Sequence, residues 1–449
     1  MDSDTQALQS AFNVLENIEA RGFAAFIAGG AVRDYLLKKQ IHDIDIATSM
    51  PLTDLAQIYP SKNMGSSRDF GTLLIQNQGR YFEVTELRGG KQDHSSCKVC
   101  LSQKEHLFHQ DALLRDFTVN AMALDSSERI LDPCNGIEDL RNRVIKTPSQ
   151  PDLILISDPL RMLRAVRFAC ELGFSIEGST MACIRDNAHL ISKPASERIS
   201  SEFFKMCRLP GKVFAQSIML MDQSGLLEII LPEISRLKTF THNFKHHPEG
   251  GVFEHTMAAL KANDTADPVI NLSILFHDSG KAATFAIRDG QPTYYRHEKA
   301  SIDIIRSVAR RLKIPGRILG QVAFAAENHM KALKIHEMKP SKIYRLMSEP
   351  GWPVLKKTVE CDIQARGQSA VEFKRSVECL QEKIMASTRQ NKSDSRFVLT
   401  GKQVMQYTGL PQGPEIGRIL KLTTDWALDN HIKDEKKIRD YVLMLTKKQ

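Results

Sequence analysis

No stretch of this 449-residue chain approaches the roughly 18 consecutive apolar residues that a membrane-spanning helix needs. A helical membrane protein is therefore excluded. The opening Met1-Asp2-Ser3-Asp4 is acidic and lacks the apolar core of a secretory signal. Together these absences predict a cytoplasmic protein. Internal repeats and low-complexity tracts are also missing. Charge is only mildly one-signed: 61 basic against 53 acidic residues give +8 and a pI near 8.9. Such an excess fits a phosphate-rich partner such as RNA without selecting one. Cysteines are few and mostly isolated: Cys134, Cys170, Cys183, Cys207, Cys361 and Cys379 stand in apolar or helical surroundings, as free thiols do in a reducing compartment. One cluster departs from this. His94, Cys97, Cys100, His106 and His109 fall close together and are a candidate zinc site. Structural zinc sites usually have longer loops between ligand pairs, so a polar loop is the favoured reading there.

What is present is ordinary globular composition, 42% hydrophobic and 25% charged. The length exceeds what one core supports and predicts three or four domains. Leu8, Phe12, Leu15 and Ile18 recur at helical spacing, with Gly22 closing that helix. Phe23 to Ala28 reads as a strand, then Gly29-Gly30 as a turn, then a short helix through Leu37.

The most informative segment follows: Asp43-Ile44-Asp45-Ile46. On a strand, residues two apart share a face. Asp43 and Asp45 are therefore expected side by side, with Ile44 and Ile46 buried behind them. Two carboxylates held that close repel unless a cation lies between them, and Mg²⁺ favours one or two carboxylates plus substrate phosphates. Upstream, Gly29-Gly30 permits close backbone approach to a ligand, the helix start offers free N–H groups, and Arg33 adds a donor fork for phosphate. Thr72-Leu73-Leu74-Ile75 and Tyr81-Phe82-Glu83-Val84-Thr85 read as strands around a Gly79 turn. Glu83 is then a candidate third carboxylate, with Glu86 as its rival. A phosphate cradle followed by a metal-binding strand is what phosphoryl transfer requires.

This stretch resembles the signature of nucleotidyltransferases related to DNA polymerase beta. Specifically, it resembles the class II branch of tRNA nucleotidyltransferases and bacterial poly(A) polymerases. Arg115-Asp116-Phe117-Thr118-Val119-Asn120 resembles the second hallmark of that family. Arg115 suits phosphate and Asn120 a ribose, with Asp116 orienting one of them; read alone, the segment is equally a capped core helix. Family members commonly carry two arginines before the aspartate, where this chain has Leu114. Gly65, Phe70, Gly71 and Thr72 fit a loop near the triphosphate more loosely. Ser157-Asp158-Pro159-Leu160-Arg161-Met162-Leu163-Arg164-Ala165-Val166-Arg167-Phe168 resembles the third hallmark. Asp158 and Arg161 are expected as neighbours on one helix face, and the resemblance implies that they read the base of the incoming nucleotide, with Arg164 also in the nucleotide pocket. A surface ion pair is the bland alternative. Ser157 stands where the family usually has Glu. Glu197-Arg198-Ile199 resembles a further motif that supports the neck.

A second constellation runs His255, then His277-Asp278, then Asp362, in the order of the HD phosphohydrolase superfamily. Such a set suits a divalent transition metal, and His297 and His329 are candidates for a second metal position. Activity at that site does not follow from the resemblance. Residues 399–417 resemble the family's C-terminal tail, whose glycine-rich turn either holds a phosphate backbone or merely joins helices.

The expected fold is α+β: a small polymerase-beta-like head, a mixed sheet with helices, followed by an all-α body from about residue 137. The expected domains are a catalytic head at 1–145, a helical neck at 146–240 for nucleotide selection and RNA binding, an HD domain at 241–370 and a tRNA-contacting tail at 371–449. The implied function is addition of CCA to the 3′ end of tRNA from CTP and ATP, using Mg²⁺ or Mn²⁺ held by Asp43, Asp45 and Glu83. Alternatives within the class are CC-only, A-only or poly(A) addition; the HD constellation and the lack of a long arginine-rich C-terminus favour tRNA. The poor match at residues 89–112 leaves partial addition open. The alternative of another class is an HD-type phosphohydrolase acting on RNA ends or nucleotides.

Overall fold

The computed structural model describes residues 3–41, 43–62, 71–88, 101–241, 250–388, 399–430, 432 and 434–447. It divides into two compact units, Met1–Met206 with Gln216–Ile230, and Cys207–Ala215 with Leu231–Gln449.

The first unit opens with α1 (Ser3–Glu19). Phe12, Leu15 and Ile18 of its apolar stripe are buried, and Gly22 ends it at φ +88°, a conformation glycine adopts without steric cost. Next come β1 (Ala25–Ala28), α2 (Gly30–Leu36), β2 (Asp45–Thr48) and α3 (Leu52–Ile58). β3 (Ser61–Lys62), β4 (Thr72–Asn77) and β5 (Arg80–Glu86) follow. Gln78 and Gly79 both have positive φ, as the tight turn between β4 and β5 requires. After α4 (Leu101–Ala112) come β6 (Ala123–Leu124) and β7 (Ile130–Leu131). The sheet order is β3-β4-β5-β2-β1-β6-β7, all antiparallel except β2 with β5. One face carries Phe26, Ala28 and Ala47 into a core with Phe108, Ala112 and Ala123.

Beyond the sheet lie α5 (Gly136–Asn142), β8 (Val144–Ile145), α6 (Pro151–Ser157), α7 (Leu160–Leu172), β9 (Ser175–Ile176), α8 (Gly178–Asn187) and α9 (Ser196–Cys207). The parallel pair β8–β9 is missing from the expected all-helical body. Two-residue strands carry no period to read.

The described residues of the second unit are mostly helical, with an isolated bridge between Thr241 and Gly251 and one hairpin, Ala286–Arg288 with Gln291–Thr293. Its turn is Asp289-Gly290, both at positive φ, so the familiar Asp-Gly hairpin signal was present but flanked by only three residues a side. Helices Val252–Ala262, Pro268–Phe276, His297–Arg311, Gly316–Leu333, Pro340–Ser348 and Trp352–Ala365 bury Leu355, Val359, Ala325 and Ile343 among others. The C-terminal segment packs Gly401–Thr408, Pro414–Asp429 and Glu435–Lys447 around Val404, Ile419 and Val442. Thr400 and Gln403 form a reciprocal capping box at its start, and Trp426 stacks on Tyr441 at 4.1 Å.

Candidate active site

Asp45 is the first residue of β2, and its Cα partner across the parallel pair is Glu83. Alternation places both side chains on one sheet face, while Ile46 and Val84 are fully buried on the other. Asp43 keeps the alternation, with Ile44 buried between it and Asp45, but it lies ahead of the strand. Pairing with β1 stops at Ala28–Asp45, because Gly29 turns the chain away at φ +82°. Asp43, Asp45 and Glu83 line one cavity of about 550 Å³. Loss of surrounding water pushes the Asp45 carboxyl up to about 6, Glu83 and then Asp43 add repulsion, and Arg115 opposes them. Three carboxylates on one cavity wall, with Asp45 pushed toward neutrality, offer the hard oxygen donors that a divalent cation takes. The rival Glu86 points elsewhere: its Oε1 accepts from the Leu52 N–H at 2.9 Å, at the start of α3.

Gly29 allows the close approach at this wall. A Cβ there would come within 3.3 Å of Arg115 Nη1 and 3.9 Å of Asp45 Oδ2. One turn along α2, Arg33 donates through Nη1 to Asn120 Oδ1 at 2.8 Å. Asn120 donates through Nδ2 to Asp116 Oδ1 at 3.2 Å. Arg164 donates to the other Asp116 oxygen, from Nε at 3.0 Å and Nη2 at 2.6 Å. Burial alone would raise the Asp116 carboxyl, but Arg164 outweighs it and holds it down at about 2. Arg115 donates to Asp111 at 2.7 Å and to the Asn120 carbonyl at 3.4 Å. Asn120 sits in a 3-10 turn, Thr118–Asn120, so the capped-helix alternative for this segment fails.

Asp158 and Arg161 both line the cavity, but not as neighbours within one helix. Asp158 is extended, between the end of α6 and Pro159. There it accepts the N–H of Leu160 and a 2.9 Å ion pair from Arg198. The proline ring disfavours helical geometry at the residue before it. Arg161 lies in the first turn of α7. Its guanidinium is tethered to the carbonyls of Leu114 at 2.9 Å and Ile154 at 3.3 Å, and burial lowers its pKa.

The His/Asp constellation lies wholly in the second unit and is buried. Asp278 Oδ1 lies 3.1 Å from His297 Nε2 and 3.6 Å from His329 Nε2. Asp278 Oδ2 lies 3.3 Å from His277 and 3.7 Å from His255. His255 Nε2 is also 3.0 Å from Asp362. Among the described residues, His255, His277 and Asp278 form one possible metal group, and Asp278, His297 and His329 a second. His277, His297 and His329 each turn Nδ1 to a backbone carbonyl at 2.7 to 2.9 Å. That contact directs Nε2 toward the shared carboxylate, the orientation a metal-ligating histidine requires. Lys281 pairs with Asp278, and Arg366 grips Asp362 through both oxygens. Burial opposes ionisation of both acids, but His277 and Lys281 at Asp278, and His255 and Arg366 at Asp362, hold them well below the carboxylate range.

Comparison with known proteins identifies the family. A family profile described as "Poly A polymerase head domain" matches residues 25–146. Another, "Probable RNA and SrmB- binding site of polymerase A", matches residues 173–238. The chain is 30% identical over 438 residues to an A-adding tRNA nucleotidyltransferase of Deinococcus radiodurans, covering 93% of this chain and 94% of that protein. It is 36% identical over 352 residues to a CCA-adding enzyme of Ligilactobacillus salivarius, covering 75% of this chain and 85% of that one. The chain belongs to the tRNA nucleotidyltransferase family. Its fold matches that of the Bacillus stearothermophilus CCA-adding enzyme solved with CTP, at TM-score 0.69 and 24% identity, over 100% of this chain and 99% of that one. It is thus a class II nucleotidyltransferase, a head with a mixed sheet followed by a mostly helical body, and no described helix is long and apolar enough to cross a membrane.

In this nucleotidyltransferase two further residues support the arginines of the site. Glu202 of α9 joins Arg167 at 2.7 Å and Arg164 at 3.5 Å, and no local pattern announces it. Phe168 underlies three guanidinium groups, those of Arg33, Arg164 and Arg167, at 5.2, 5.2 and 3.9 Å from its ring centre; it stands within the third hallmark and was legible there. Of the candidate zinc cluster, His94, Cys97 and Cys100 lie outside the described residues. His106 and His109 are exposed on α4, where His106 bonds Gln110. Gly65 and Phe70 also lie outside the described residues.

Proposed function

We propose that this enzyme adds CCA, from CTP and ATP, to the 3′ end of tRNA without a nucleic-acid template. One observation carries the reading: Asp43, Asp45 and Glu83 share a cavity wall with a phosphate-binding set, Gly29, Gly30, Arg33 and Arg115. Asp43, Asp45 and Glu83 would hold magnesium or manganese, which would supply charge neutralisation at the triphosphate and a lowered pKa for the attacking hydroxyl. The new bond joins the RNA 3′ oxygen to the α-phosphorus, and the bond from that phosphorus to pyrophosphate breaks in line. Arg33 and Arg115 hold phosphate oxygens. Asn120, fixed between Arg33 and Asp116, offers its remaining groups to the ribose. Asp158 and Arg161 present an acceptor and a donor fork to the base, and Arg164 locks Asp116 beneath them. RNA is gripped by shape and phosphate contacts, and the cytoplasm is the compartment that holds such a substrate.

Addition of A alone is a second reading. It is favoured by the likeness to the A-adding Deinococcus enzyme along nearly the whole chain. The experiment offers tRNA ending before CCA, after C and after CC, with CTP and ATP supplied singly and together. Extension of all three supports the first reading, extension of the CC end alone supports the second, and no extension with magnesium or manganese defeats both. We further propose that His255, His277, Asp278 and Asp362, with His297 and His329, hold divalent transition metal as an HD-type phosphohydrolase site acting on RNA ends or nucleotides.

A further inference from the structure

Asp111 is almost fully buried, at 3% exposure, and lines the nucleotide cavity from the last turn of α4. Both of its oxygens are engaged. Oδ1 accepts the Arg88 N–H at 3.1 Å, just beyond β5, the strand that carries Glu83. Oδ2 accepts Arg115 Nε at 2.7 Å. The turn after α4 makes the second contact possible. The Arg115 N–H donates to the Ala112 carbonyl at 3.2 Å, which brings the arginine back beside the helix end. There its guanidinium lies over the Phe108 ring, 5.7 Å from the centre. Arg115 Nη1 donates to the Asn120 carbonyl and borders Gly29, which Asp45 Oδ2 borders too. Among the described residues Nη2 has no acceptor, so it is a donor left for phosphate.

A guanidinium thus stands beside three carboxylates without pairing to them. Arg115 acts on the Asp45 carboxyl more strongly than Arg164 does, yet among the described residues its ion pair is with Asp111. Arginine and carboxylate form strong, often two-point contacts. A released Arg115 would therefore close on Asp45 and Glu83 and compete with a cation there. Burial of Asp111 strengthens the restraint, because buried pairs are screened little by salt. On the reading of Asp43, Asp45 and Glu83 as the cation site, on which this rests, we infer that Asp111 is a positioning residue: it holds Arg115 off the cation-binding carboxylates and keeps it turned to the phosphates of the nucleotide. Its bond to the Arg88 N–H fixes the anchor itself to the strand of Glu83, so the acid and the arginine keep one spacing.

The test uses the full-length enzyme with ATP and a tRNA ending in CC, over a range of magnesium concentrations. Asp111→Asn is isosteric and keeps an acceptor for the Arg88 N–H. It is expected to raise the magnesium concentration for half-maximal incorporation by about tenfold or more. ATP affinity, measured by calorimetry at low magnesium, should weaken by a similar factor, with KM for tRNA within about twofold of wild type. Excess magnesium should return kcat to within about threefold of wild type, a recovery that a merely structural lesion would not show. In an Arg115→Ala background, where nothing is left to swing, Asp111→Asn should not change the magnesium dependence of ATP binding or of incorporation. Thermal melts check folding; where the single variant does not fold, Arg115→Ala against the double variant carries the comparison. An unchanged magnesium requirement in folded Asp111→Asn, a rate that excess magnesium does not recover, or a raised requirement that persists without Arg115 overturns the inference. Undiminished incorporation in Asp45→Asn would instead defeat the reading of the carboxylates on which it rests.

Discussion

Asp45 and Glu83 face each other across the parallel pairing of β2 with β5, and every β contact of those two strands around them keeps their side chains on the cavity side of the sheet. With Asp43 they crowd negative charge where Asp45 is already held up at about 6. As pH rises through that value the site gains its full charge. Cation affinity rises with it, because ligation requires the deprotonated form. The magnesium or manganese concentration giving half-maximal incorporation is therefore expected to fall between about pH 5 and 7. Titration of incorporation against cation at several pH values checks this.

The same crowding has a cost in the metal-free protein. The folded-state pKa of Asp45 is raised, so its contribution to stability is present at low pH and is lost as pH rises through about 6. Asp45→Asn should then melt higher than wild type at pH 7.5 without divalent cations. Water in the cavity screens the effect, so the gain is small. Added magnesium should raise the wild-type Tm and leave the variant's unchanged.

Asp116 behaves in the opposite sense. Its folded-state carboxyl is held at about 2 against an ordinary 3.8, so its stabilisation is complete above pH 5 and is lost as pH falls toward 2. The shift corresponds to about 2 kcal/mol. Asp116→Asn should lower stability at pH 7 by about that amount and flatten the acid limb of the denaturation profile. Because Arg164 loses the ionised acceptor that holds it, KM for both nucleotides should rise as well. Urea melts at pH 7, 4 and 2.5 make the comparison.

Gly29→Ala tests the close approach. The backbone there sits at φ +82°, costing an alanine of order 1–3 kcal/mol, and the new methyl would press on Arg115 Nη1. Loss of stability together with a raised KM for CTP and ATP is expected, with KM for tRNA little changed. Steady-state kinetics beside thermal melts separate the two effects.

The buried His/Asp cluster should be independent of polymerisation. Asp278 is the carboxylate common to both possible metal groups. Asp278→Asn is expected to remove nickel or manganese binding and any metal-dependent hydrolysis of nucleotide phosphoesters, while incorporation into tRNA continues. Calorimetric metal titration and a labelled-nucleotide assay on the same preparation check both halves.

Much of this was legible in the sequence where a short periodic rule governs. Ile44, Ile46, Phe82 and Val84 alternate with the carboxylates and are buried as alternation requires. Phe12, Leu15 and Ile18 follow the helical period. The sequence failed where tertiary partners decide. Asp158 and Arg161 are three apart, yet Pro159 separates the strand-like aspartate from the helical arginine, and their partners Arg198 and Leu114 come from elsewhere in the chain. Glu202 matters through Arg164 and Arg167, 38 and 35 positions away. The short strands at Val144 and Ser175 exist only by pairing with each other.

The most direct measurement compares wild type, Asp45→Asn and Asp278→Asn for incorporation of labelled CMP and AMP into tRNA lacking its 3′ end, with magnesium present. The account predicts a loss of about 10³-fold or more in Asp45→Asn, the scale of several kcal/mol of lost charge stabilisation, with Asp278→Asn close to wild type. Undiminished incorporation in a correctly folded Asp45→Asn protein, or its loss only in Asp278→Asn, would contradict it.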